Sequence, residues 1–98
     1  MIVSTSSYTL QLTEDIDHLA CNTLLSDLDR LAEDVLSVDV HINDVNTPTH
    51  GASKQAIIRA HLRNRHEITI ETVEESVAVA IQRGSERVRR AICSCVAN

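Results

Sequence analysis

The chain has 98 residues and a formal net charge of −5, room for a single domain and the wrong sign for a protein that coats nucleic acid nonspecifically. Of its residues 43% are apolar, above the range of disordered chains, yet Tyr8 is the only aromatic. A core of Ile, Leu, Val and Ala fills one layer between a sheet and two helices, and it argues against a deep, aromatic-walled active site.

Ile2 to Thr5 is short and β-branched and predicts a strand, closed by Ser6-Ser7. Thr13, followed by Glu14 and Asp15, marks a helix start, because carboxylates suit the exposed N–H groups of a first turn. Ile16, Ala20, Leu24, Leu28, Leu31 and Val35 recur every three or four residues and predict one helix of about six turns with a single apolar face. The period then falls to two. Val38, Val40 and Ile42 alternate with Asp39, His41 and Asn43, as in a half-buried strand.

Asn46 to Ser53 holds Pro48 and Gly51 and predicts a loop. A further strand is expected from Gln55 to Leu62, then a tight connection at Arg63-Asn64 with Asn64 able to take positive φ, then a strand from His66 to Thr72. Val77, Ile81, Gly84, Val88, Ile92 and Cys95 form the stripe of a last helix running from about Glu74 to Val96. Gly84 within that stripe costs roughly 1 kcal/mol of propensity and implies a second backbone passing close. The expected fold class is α+β, in the order β-α-β-β-β-α, as one domain over residues 1–98. Both helices should cover one face of a four-stranded sheet, leaving His41, Arg59, His61, Thr69 and Glu71 on the open one.

Catalytic signals are weak. No serine is flanked by glycines, and Gly51 and Gly84 stand 33 positions apart, so neither a nucleophile elbow nor a phosphate loop is present. His41 and His61 share the open face, but a metal site needs three or four converging ligands at suitable spacing, and a polar sheet surface is the simpler account. Cys93 and Cys95, two apart on a helix, point about 200° from each other and cannot clamp one ion. With Cys21 they make an odd set without framework spacing, as for reduced cytoplasmic thiols. No basic stretch followed by an apolar run opens the sequence, and no apolar run nears the roughly 18 residues of a membrane span. The expectation is a cytoplasmic, non-enzymatic protein without cofactor, metal, small-molecule substrate or membrane partner.

The basic residues are more informative, because eight of the nine lie from Lys54 onward. Arg83, Arg87 and Arg90 stand at i, i+4 and i+7 on the last helix, with Arg89 beside them, and Arg59, Arg63 and Arg65 cluster on and next to a hairpin. Arginine forks suit phosphate oxygens, although a solvated helix face is the commoner role of such a stripe.

Leu12-Thr13-Glu14-Asp15-Ile16, Val38-Asp39-Val40-His41-Ile42, the strand from Ala56 to Leu62, and Ala80-Ile81 with Glu86-Arg87-Val88 and Arg90 occur here in order. Together they resemble the ribosome hibernation-promoting factors, also called ribosomal subunit interface or sigma-54 modulation proteins, and most of all their short single-domain branch. The resemblance implies a non-catalytic factor that binds ribosomal RNA in the channel of the small subunit, silencing translation and protecting idle ribosomes under stress. Arg87 and Arg90 match basic positions of the family's last helix, and the charge pattern adds Arg83, Arg59, Arg63, Arg65 and Arg30 as candidate RNA contacts. The first helix departs from the family pattern: Asn22, Ser26 and Asp29 stand where lysines are usual, and Arg30 is its one cation. A second expectation therefore stands beside the first, a module on the same fold that binds a protein partner or forms a homodimer.

Overall fold

A computed structural model of the chain describes residues 1–9, 11–49 and 51–96. The elements follow as β1 (Ile2–Ser6), α1 (Glu14–Asp27), a 3-10 turn (Asp29–Leu31), β2 (Val35–Thr47), β3 (Gly51–Leu62), β4 (Glu67–Glu74) and α2 (Val77–Val96). This is the expected α+β order. The strands form one sheet, β1-β2-β3-β4, in which β1 and β2 are parallel and the other pairs antiparallel. A parallel pair needs a crossover, and α1 supplies it.

The period-two pattern places Val38, Val40, Ile42, Ala56, Ile58 and Ala60 on one face, all fully buried. Ala20 and Leu24 from α1 and Ala80, Ile81, Val88 and Ile92 from α2 complete the core. Each buried Leu, Ile or Val contributes about 1.5–3 kcal/mol by leaving water. The helices are also tied to each other, where Ser85 donates to Asp27 at 2.7 Å. The opposite face is uncovered and carries cross-strand rows such as Ser4, Asp39, Arg59 and Thr69.

Several boundaries differ from expectation. The six-turn first helix is really fourteen residues long. Thr13 caps it by accepting from the Ile16 N–H at 3.2 Å. After Leu28 the chain tightens into a 3-10 turn, and Val35 is the first buried residue of β2. The apolar spacing misleads because a tight turn running into a strand keeps Leu28 and Val35 inward just as a helix would. The loop at residues 46–53 is narrower than expected, since β2 runs to Thr47 and β3 begins at Gly51. The last helix begins at Val77, after Ser76, whose hydroxyl accepts from the Val79 N–H at 3.2 Å.

At the β3–β4 turn Arg65, not Asn64, takes the left-handed backbone, with φ 73°. The Asn64 side chain instead accepts from the His66 N–H at 3.0 Å. Gly84 does meet a close neighbour, but a side chain: a Cβ there would lie 2.6 Å from Ile58 Cδ1.

Candidate nucleic-acid interface

The hairpin turn after β3 fixes the first group of cations. Leu62 and His66 close a three-residue loop through a 2.9 Å bond, with Arg65 at the left-handed position such loops require. The Arg63 N–H donates to the Asp34 carbonyl at 2.9 Å, which ties this turn to the segment just after the 3-10 turn that carries Arg30. Arg30, Arg63 and Arg65 are exposed, and none has an ion pair among the described residues. The same turn meets the end of α2, since Asn64 and His66 both contact Cys95. One pole of the molecule therefore gathers three uncommitted guanidinium groups.

The helix stripe is exposed, as its spacing implies, but its charges are partly spent locally. Arg83 pairs with Glu74 at 3.3 Å and Arg90 with Glu86 at 2.6 Å. Arg87 donates to the Glu71 main-chain carbonyl at 2.8 Å, so it also covers the free edge of β4. Exposed pairs of this kind are worth about 0–1 kcal/mol, so an incoming phosphate can displace the carboxylate at little cost. Arg89 is half-buried. Arg59 is not brought to these groups. It sits on the open sheet face, paired with Glu67 at 3.2 Å.

Beside α2 lies a helix of the opposite sign. Glu14, Asp15 and Asp17 crowd the first turn of α1 and no basic residue closes it. Asn22 and Ser26 are exposed on its flank, and Asp29 follows on the 3-10 turn. The helical layer is thus split, acidic on α1 and basic on α2.

The open sheet face forms a shallow hollow of about 360 Å³ whose floor includes Asp39, His41, Ile57 and Arg59. Tyr8 stands at its rim, 91% exposed, its ring edge-on to His41 with centroids 4.6 Å apart. His41 Nδ1 meets the Ser6 hydroxyl at 2.7 Å. His61 lies between Asp39 at 3.4 Å and Glu67 at 3.3 Å. The two histidines do not converge: His41 pairs in register with Ile57 and His61 with Ser37, which separates their rows by about 13 Å. No group of three or more metal-ligating side chains occurs among the described residues, and His50 lies outside them.

The cysteines occupy three different settings. Cys21 faces Asp17, and burial first, then that carboxylate, pushes its thiol above the ordinary range. Cys93 is exposed. Cys95, expected in the buried stripe, is half-buried at the end of α2 with His66 Nδ1 2.8 Å from its sulfur. That pairing had no signal in the sequence, because it arises only when the turn docks on the helix end.

No protein-family model and no curated protein matches the chain. Solved structures do match its fold. The chain is similar to a ribosomal subunit interface protein from Coxiella burnetii, with a TM-score of 0.83 and 9% identity over 100% of each chain. It is likewise similar to the Protein Y N-terminal domain of Thermus thermophilus, with a TM-score of 0.77 and 19% identity over 96% of this chain and 94% of that one. At these identities the likeness is one of fold. None of the described helices is long and apolar enough to cross a membrane.

Proposed function

We propose that this chain is a single-domain, non-catalytic factor of the hibernation-promoting type. It binds ribosomal RNA of the small subunit in the cytoplasm, inhibiting translation and preserving idle ribosomes under stress. The observation that carries the reading is the end-to-end fold likeness to a ribosomal subunit interface protein. The arrangement of cations supports it: Arg63, Arg65 and Arg30 at one pole, continued by Arg90, Arg87 and Arg83 along α2. Arg59, on the far face, makes a lesser contribution. The acidic α1 removes one half of the basic surface expected for such a factor, so binding should be weaker and less steeply salt-dependent than a full basic surface would give.

Cosedimentation with purified small subunits tests this. If about four guanidinium groups engage phosphates, raising salt from about 50 to about 200 mM should weaken binding roughly 50- to 150-fold. An Arg63→Glu/Arg65→Glu variant should lose most binding at the lower salt, and an Arg87→Glu/Arg90→Glu variant should do likewise. Absence of association at the lower salt, or charge-reversal variants that bind unchanged, would remove the reading.

The split of charge across the helical layer favours one other reading, self-association through α1 of one copy against α2 of the next. It predicts a dimer that dissociates as salt rises, measured by analytical ultracentrifugation without ribosomes.

A further inference from the structure

The β3–β4 turn and the last turn of α2 enclose a cleft of about 410 Å³ lined by Asp34, Asn64, His66, Cys95 and Val96. Inside it Cys95 Sγ lies 2.8 Å from His66 Nδ1 and 3.7 Å from Asn64 Nδ2. These neighbours do different things. With its proton on Nε2, His66 accepts the thiol proton at Nδ1, while the Asn64 amide donates to the sulfur and favours negative charge there. Arg63 and Arg65 flank Asn64 on the same turn and add positive potential. Asp34 and the final carbonyls of α2 oppose it. The thiol is only half-buried and opens into the cleft, so a small reagent can reach it.

We propose that the Cys95–His66 pair is a thiol-modification site that takes low-molecular-weight disulfides to a mixed disulfide. In the step, the Cys95 S–H proton passes to His66 Nδ1 and the thiolate attacks one sulfur of the incoming disulfide. One S–S bond forms, the original S–S bond breaks, and the departing thiolate recovers the proton from His66. Electrons balance by exchange, with no outside oxidant. Among the described residues neither other cysteine has such a partner. Cys93 is more exposed but points away from the cleft, about 200° around the helix from Cys95. Burial first, and the facing Asp17 carboxylate second, push the Cys21 thiol above its ordinary range. This site stands whether or not the chain binds RNA.

Oxidised glutathione added to the intact chain, with adducts counted by mass spectrometry and fragmentation of the 91–98 peptide, decides the matter. Cys95 should be modified at least about tenfold faster than Cys93 or Cys21, the order expected when an adjacent imidazole that takes the proton, and not exposure, sets the rate. His66→Ala and the more conservative His66→Asn should each bring Cys95 down to the rate of Cys93, leaving Cys93 itself unchanged. The Cys21 rate in the same samples reports folding, since unfolding would raise it. Modification of Cys93 as fast as Cys95 overturns the proposal, and so does a Cys95 rate unaffected by both His66 variants in folded protein.

Discussion

Arg65 holds its left-handed backbone, φ 73°, at a position where glycine would be unstrained. For an L-residue that conformation costs about 1–2 kcal/mol, part of which the closing bonds of the turn offset. Arg65→Gly should therefore raise stability by about 0.5–1 kcal/mol, read as a higher urea midpoint at unchanged m-value. On the ribosome reading the same substitution should weaken small-subunit binding, because it removes one of three unpaired guanidinium groups at that pole. Stability rising while binding falls is the signature of strain kept for a functional side chain. The composition of this turn is plain in the sequence, since Arg63, Arg65 and the asparagine between them mark a basic hairpin. Which residue adopts positive φ is not, because Asn64 can serve either by its backbone or by its side chain. Here the side-chain bond to the His66 N–H decides it.

Helix α2 shows how tightly an element can be fitted to the sheet beneath it. Gly84 sits over Ile58 so closely that an added Cβ would come within 2.6 Å of Ile58 Cδ1. Ile58 is fully buried, so it has little freedom to turn aside. Gly84→Ala should destabilise by about 1–2 kcal/mol, overpacking outweighing the helix propensity gained. Ile58→Val removes the Cδ1 methyl and alone should cost about 0.5–1.5 kcal/mol. The double variant should then be more stable than the two single effects predict when added, a coupling that chemical denaturation of all four proteins would measure.

The faces of the central parts of β2, β3 and β4, the inward stripe of α2 and the order of elements follow from apolar spacing. The ends do not. Leu28, Leu31 and Val35 keep a helical spacing through a 3-10 turn and into β2, because periodicity records which residues point inward and not by which backbone path. Contacts between elements, such as Cys95 with His66 and Tyr8 with His41, lie beyond any local pattern.

Across the molecule, charge is distributed by half. Residues before Lys54 hold nine of the fourteen acidic groups and only Arg30 among the cations. That asymmetry is fully visible in the sequence, and the fold turns it into two adjoining helices of opposite sign. Replacing Asn22, Ser26 and Asp29 with lysine should therefore strengthen small-subunit binding more than tenfold at moderate salt and steepen its salt dependence, as the number of neutralised phosphates rises. If the helical layer instead pairs with itself, the same lysines should abolish the dimer. Cosedimentation and ultracentrifugation of one triple variant thus separate the two readings.

Tyr8 has an optical consequence. The chain contains no tryptophan or phenylalanine, so its near-ultraviolet absorption and its emission both come from one phenol at the rim of the open sheet face. Concentration must be read from the peptide bonds, but in return the signal is free of any second chromophore. A partner that settles on the sheet will alter that emission, whereas one that grips α2 and the arginine pole, away from that rim, leaves the phenol as it was.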